Sequence, residues 1–317
     1  MLRPLLVATA AFVSLSSAAH AAEPSLTMTP AEARPGDLVV LSLPLGEGGL
    51  CPEGSAGRQV VTFHALGGKC QALLALPVEH APGKLPLRLA PPAEKKGQKQ
   101  APVAAELTVL PPAFNVRELK VAKKFVSPPK TVKRRMAEDR KAFAAAFAQK
   151  PLPAQFSANF DWPRRDVMTA PFGDLRTFNG KKQSQHFGMD IDGRVGDPIV
   201  AANDGVVVMV RDNYAAGQTV MIHHGLDVYT TYFHLSSMDV KPGQRVKRGE
   251  PLGKVGKTGR VTGAHLHFGA KVNGLYVDPA TLMRADLFGG AVATATPDAP
   301  LPVADRKAET AAGGSGE

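Results

Sequence analysis

Gly263-Ala264-His265-Leu266-His267-Phe268 is the stretch on which the reading of this chain turns. Side chains of an extended strand alternate faces, so two histidines separated by one residue look the same way. The stretch is flanked by glycine, and Val261, Leu266 and Phe268 are residues at home in a strand. Two upstream stretches give it weight. His186-Phe187-Gly188-Met189-Asp190 sets an imidazole and a carboxylate four residues apart, and Tyr232-Phe233-His234-Leu235 adds another imidazole. Together they exceed what a zinc site with three protein ligands and one open position requires.

The chain has 317 residues, 44% of them hydrophobic and 6% aromatic, which is room for two domains with real cores. Arg3, the apolar run Leu5 to Leu15 and Ala19-His20-Ala21 read as a secretory signal cleaved after Ala21, with an uncleaved anchor as the alternative. The run is short for a transmembrane helix, and no other stretch is long and apolar enough to span a membrane. Export makes Cys51 and Cys70 a disulfide pair rather than metal ligands, since neither lies in a Cys-x-x-Cys spacing. The net charge of +10 is diffuse, concentrated at Lys95-Lys96, Lys99 and the run Lys120 to Lys141. It reads as a solvated face or an attraction to anionic surfaces. Interleaved aromatics of the kind single-stranded nucleic acid requires are lacking.

The sequence divides into a signal peptide (1–21), a β-domain (22–110), a basic connector (111–160), a β-rich domain (161–288) and a disordered tail (289–317). In the first β-domain Leu38–Leu41, Val60–Phe63, Leu85–Leu89 and Leu107–Val109 are strand candidates, punctuated by Pro35-Gly36, Gly48-Gly49 and Gly67-Gly68. They predict an immunoglobulin-like β-sandwich. In the connector, Met136, Phe143 and Phe147 recur at helical spacing after Pro128-Pro129, which predicts one amphipathic helix. With the first domain, it is placed to restrict access to the metal cleft. Further on, Ile199–Ala202, Val206–Val210, Thr219–His223, Val228–Phe233, Gly243–Val246 and Leu252–Val255 are strand candidates, and Asp204-Gly205 signals a hairpin turn.

His186, Asp190 and His267 are assigned as zinc ligands, with Gly188 giving the backbone freedom to bring the first two to one point. His234 and His265 then lie near the metal without binding it, suited to moving a proton at neutral pH. No His-Glu-x-x-His helix is present, so the base is a histidine. His223 and His224 read as structural, one of them at a strand end before Gly225.

The span from Trp162 to Leu282 resembles the lysostaphin/LytM-type zinc peptidases. The matching residues are Ala170-Pro171-Phe172-Gly173, Asn179-Gly180, His186-x-Gly188-x-Asp190-Ile191 and Gly196-Asp197-Pro198-Ile199. They continue with His224-Gly225, Thr231 to Ser236, Lys247-Arg248-Gly249, Gly256 to Gly259 and Thr262 to His267. Ala264 stands where relatives often have proline. The resemblance implies an antiparallel β-sheet peptidase domain related to the biotinyl/lipoyl hybrid sandwich, so that the whole chain is mainly β. It implies zinc on His186, Asp190 and His267, catalysis by His234 and His265, and hydrolysis of peptide cross-links or stem peptides of bacterial peptidoglycan. The expected partner is that peptide substrate, with no nucleic acid and no stable membrane insertion after signal cleavage. The expected location is the periplasm, or beyond it if the chain is secreted. Two other readings compete. A non-catalytic relative that binds and activates wall hydrolases would lack a ligand, and none is lacking. A biotinyl or lipoyl carrier would need a lysine between two methionines at a hairpin tip, a tripeptide that does not occur.

Overall fold

The computed structural model describes residues 26–90, 102–180 and 182–289. The expected signal peptide, nearly all of the Pro- and Lys-rich loop ending at Ala101, and the expected disordered tail beyond Gly289 lie outside the described residues. What is described is mainly β, with few helices.

Two sheets share the N-terminal core. One is four-stranded and contains β1 (Leu38–Pro44) paired antiparallel with β2 (Lys69–Ala75); the other is five-stranded. β1 is apolar almost throughout, as a strand covered on both faces must be. Alternation sends Val39, Leu41 and Leu43 into the N-terminal core and Leu38 and Val40 into the core of the C-terminal half. β2 does the same, with Ala72 and Leu74 on one side and Leu73 and Ala75 on the other. Burying a leucine side chain is worth ~1.5–3 kcal/mol, so Leu38 and Leu73 alone make this seam a substantial contact. Polar bonds fix it further. The Leu38 amide donates to Thr281 Oγ1 (3.0 Å), Asn273 Nδ2 to the Leu73 carbonyl (2.8 Å) and Gln71 Nε2 to the Leu287 carbonyl (2.5 Å).

Cys51 and Cys70 form a disulfide inside the N-terminal domain, 19 residues apart in sequence. Replacing both with serine is expected to lower the stability of that domain by about 3 kcal/mol, the loop entropy such a bridge removes from the unfolded chain. Metal content should not change, because both cysteines belong to the N-terminal core. Chemical denaturation and metal analysis of the two proteins check both statements.

The connector is built into the C-terminal half. Val116–Leu119 pairs parallel with β3 (Leu175–Phe178), and Arg117 forms an ion pair with the buried Asp174. The predicted helix is α1 (Lys133–Phe147), and its apolar face covers Met209 and Met221. Phe143 packs edge-on to Phe233 (5.7 Å between centroids) and Phe147 to Tyr229 (5.4 Å). The buried Asp139 accepts from the Tyr214 amide at 2.8 Å and from Arg211.

An eight-stranded antiparallel sheet dominates the C-terminal half. Its central strands are β4 (Met189–Asp192), β5 (Gly205–Asn213), β6 (Gly217–His223), β7 (Val228–Leu235) and β8 (His265–Val272), in the spatial order β4-β8-β7-β6-β5. One face buries Ile191, Ile222, Tyr232, Leu266 and Phe268 in the core it shares with a small three-stranded sheet and with β1 and β2. The other face carries Asp190, Phe233 and His267 and continues beneath α1.

Asp204-Gly205 is not a hairpin turn. Pro198–Val200 pairs with Pro251–Lys254, whereas β5 pairs with β6 and with Arg245–Val246. The Asp204 carboxylate instead accepts from the Arg248 amide (2.8 Å) and Lys247 Nζ (2.9 Å). Gly205 is there because a Cβ would lie 2.5 Å from Ile222 Cγ2. A tight Asn-Gly turn falls at Asn273-Gly274, with φ of 49° and 79°, where it joins β8 to Leu275–Val277.

His224 is fully buried, with Nδ1 2.7 Å from the Asp204 carbonyl and Nε2 2.8 Å from Thr230 Oγ1. Burial pushes its pKa down to about 4. Its folded pKa thus lies below the unfolded value of about 6.5. Above that value the ring is neutral in both states; between about 6.5 and 4 the unfolded chain takes up a proton that the folded chain refuses. Stability should therefore fall as pH drops through that window, by about 3 kcal/mol from this group. In His224→Gln the slope of unfolding free energy against pH over the window should flatten by about one proton, measured by denaturant titration at a series of pH values.

Candidate metal centre and active site

His267 and Asp190 are cross-strand partners on β8 and β4, and His186 enters just ahead of β4. Three atoms meet there: His186 Nε2 lies 3.0 Å from Asp190 Oδ1 and 2.9 Å from His267 Nδ1, and the last two are 2.9 Å apart. The surroundings set which atoms face inward. His186 Nδ1 lies 2.8 Å from the Pro171 carbonyl, which can only accept; the proton therefore sits on Nδ1 and leaves a lone pair on Nε2. Arg176 Nη2 is 2.9 Å from the same Nδ1, but a protonated nitrogen cannot accept from it. Its useful bond is to Asp190 Oδ2 at 2.7 Å, which leaves Oδ1 for the centre. The His267 ring stacks on Phe233 (5.0 Å, 13°).

Gly188 does not serve through a positive φ. A Cβ there would lie 2.5 Å from His267 Nε2 and 2.7 Å from the Phe268 carbonyl oxygen, so a glycine lets β8 approach.

Burial alone would raise the Asp190 pKa, but the His186 and His267 rings and the His265 charge hold it well below the ordinary carboxylate value. Burial, with a smaller push from the neighbouring His186 and Arg176, lowers His267 to about 4. An ionised carboxylate oxygen and a neutral imidazole, with a second imidazole nitrogen turned inward beside them, are electron-pair donors packed at contact distance. That is an arrangement a cation relieves. The chemistry of this N,N,O set fits zinc.

Two further imidazoles flank the triangle. His265 Nε2 is 3.6 Å from Asp190 Oδ1, and His265 Nδ1 is 3.0 Å from the Gly263 carbonyl. The His234 ring centroid is 5.0 Å from that of His265 and 6.0 Å from that of His267. Strict alternation on β7 would put His234 on the core face, because Phe233 is the residue opposite His267. Its φ of 66° breaks the alternation and turns the ring into the site. His234 Nδ1 lies 2.8 Å from the Thr258 carbonyl, so Nε2 is left unprotonated. Burial holds His234 well below the usual imidazole pKa, and the neighbouring His265 and His267 lower it further.

All five residues singled out in the sequence thus lie together. His223 does not join them: it stacks on Tyr229 at 4.3 Å. Sequence reading passed over Arg176, which orients Asp190, and Phe233, which seats His267. Arg176 sits only three residues beyond the Ala170–Gly173 stretch, but nothing in its spacing marks it.

Fold and site together are those of an M23-type peptidase domain. Residues 184–279 match Peptidase family M23, and the chain carries a domain of that family. It is 39% identical over 144 residues to the peptidoglycan DD-endopeptidase ShyA of Vibrio cholerae, covering 45% of this chain and 30% of that protein. It is 40% identical over 146 residues to the peptidoglycan DD-endopeptidase ShyC of the same organism, covering 46% of this chain and 31% of that one. The matches therefore span under a third of these curated relatives. A crystal structure of a Pseudomonas aeruginosa protein assigned to peptidase M23 superposes with a TM-score of 0.58 at 28% identity, covering 80% of this chain and 95% of that one.

Proposed function

We propose that this chain is a zinc-dependent endopeptidase that hydrolyses peptide cross-links or stem peptides of bacterial peptidoglycan, exported to the periplasm. The observation that carries the reading is the meeting of His186 Nε2, Asp190 Oδ1 and His267 Nδ1 within 3.0 Å of one another, with two more imidazoles beside them. The curated relatives named for peptidoglycan cleavage support the substrate class. Among the described residues no helix is long and apolar enough to cross a membrane.

In this reading His186, Asp190 and His267 hold zinc. When bound, the metal supplies Lewis acidity for the scissile carbonyl and for water. His234, kept neutral by burial and unprotonated at Nε2, takes up a proton. His265 reaches toward Asp190 from the less buried side and returns a proton to the leaving amine. Arg176 donates to Asp190 Oδ2 and so turns the carboxylate with Oδ1 facing inward. Phe233 and α1 wall off one side of the sheet face from water. The complete donor set favours catalysis over a binding-only factor, which would be expected to have lost a ligand.

Incubating the zinc-loaded protein with purified peptidoglycan and identifying the released fragments by mass spectrometry tests the reading. New amine and carboxyl ends at a stem or cross-link peptide bond are expected. Intact peptidoglycan in the presence of stoichiometric zinc would refute it.

A further inference from the structure

Arg260 lies near Arg176, beside the donor triangle, and the hydrolytic chemistry leaves Arg260 unused. Arg176 and Phe178 are two residues apart on β3 and so share a face. The loop that leads from Pro251–Lys254 into β8 returns Arg260 over that face, its guanidinium carbon 4.5 Å from the centroid of the Phe178 ring. The ring fixes the plane of the guanidinium and leaves its fork of N–H donors available. Arg176 is committed through Nη2 to Asp190, and its Nε is buried without a hydrogen-bond partner.

The other half-buried arginines, Arg117, Arg164, Arg176 and Arg211, each have a carboxylate partner, whereas many exposed arginines among the described residues have none. Arg135, Arg164, Arg165 and Arg211 each have an aspartate oxygen within 3.2 Å. Among the described residues no carboxylate pairs with Arg260. Burial and the Arg176 charge both disfavour its charged form and lower its pKa. Two neighbouring guanidinium groups, one of them partly buried and without an acid, cost free energy in the free protein. An arriving anion removes that cost, and a carboxylate matches the fork in two-point geometry. Because Arg176 touches both His186 and Asp190, such an anion would sit next to the reacting centre.

We propose that Arg260, seconded by Arg176, receives a carboxylate of the substrate peptide beside the bond that is cut, and so selects acid-bearing over amidated stems. The inference rests on the peptidoglycan-hydrolase reading given above and names the substrate group that the site prefers.

The test uses the full chain and two cross-linked stem peptides that differ only in a free carboxylate or a carboxamide beside the scissile bond. With zinc, the wild type should cleave the acid about 10–100-fold more efficiently in kcat/KM than the amide, as expected when a charge-assisted bond is lost. In Arg260→Gln the acid-to-amide ratio should fall to within about threefold of unity, and Arg260→Lys should lie between. The ratio is internal to each protein, so a general loss of rate or of folded fraction cancels. Calorimetric titration of the acid-bearing and amidated cleavage products, without added metal, should show the same preference in the wild type and its loss in Arg260→Gln. A wild type indifferent to amidation, or an Arg260→Gln that keeps the full ratio, overturns the proposal. Failure of the zinc-loaded wild type to cleave either peptide overturns the peptidase reading separately, since the binding preference is read without turnover.

Discussion

His267→Ala is expected to purify without zinc and to show no hydrolysis of peptidoglycan. The substitution removes one vertex of the donor triangle and leaves His186 Nε2 and Asp190 Oδ1, 3.0 Å apart, as a two-point site. Losing a hydrogen bond that merely supports a metal ligand costs ~10–100-fold in affinity, and losing the ligand itself should cost more. The stack on Phe233 goes as well, so the residual site would be less well held. Metal analysis of the purified variant beside the wild type is the direct measurement. Wild-type zinc content in His267→Ala would remove His267 from the ligand set.

His265→Ala and His234→Ala should give the opposite pattern, with close to one equivalent of zinc retained and turnover reduced by ~10²–10⁴, the share typical of a general acid–base group. Neither ring contributes an atom to the triangle: His265 Nε2 stands off Asp190 Oδ1 at 3.6 Å, and His234 bonds through Nδ1 to the Thr258 carbonyl. His265 and His267 share one strand face two residues apart, so this pair of variants separates metal binding from proton transfer with little change of location. Metal content and kcat measured on the same preparations decide the matter. If His265→Ala stripped the metal while His267→Ala kept it, the assignment would be reversed; normal turnover in both would remove the site altogether.

The His-x-His stretch was legible because a strand repeats every two residues, which puts His265 and His267 on one face whatever surrounds them. His186 and Asp190 were legible as a pair, although the reason for Gly188 was not: the close approach of the His267 ring depends on a strand 80 residues away in sequence. The orientation of His234 could not be read at all, since only a positive φ turns it out of the core. Lys69–Ala75 was missed as a strand because Lys-Cys-Gln-Ala-Leu-Leu-Ala is rich in helix formers, and the cores on both its faces override that local preference. Asp204-Gly205 misled in the other direction, since a turn dipeptide says nothing about which strands lie beyond it. The strand Val116–Leu119 escaped notice because its four residues alternate between exposed and half-buried in a polar, basic segment.

The pairing of β1 with β2 has a consequence for how this architecture could be shuffled. A module moves between proteins when its surface is indifferent to its neighbour, and here each half completes the other's interior through Leu38, Val40, Leu73 and Ala75. A catalytic half grafted alone onto a foreign carrier would bring with it an apolar scar shaped for those side chains, and the carrier would have to fill it. The portable cassette is therefore the two halves with the strand and helix between them. Gly48-Gly49 is a turn with open space around it, nothing lying within 4 Å of a Cβ at either position, and is a place where an insertion should be tolerated.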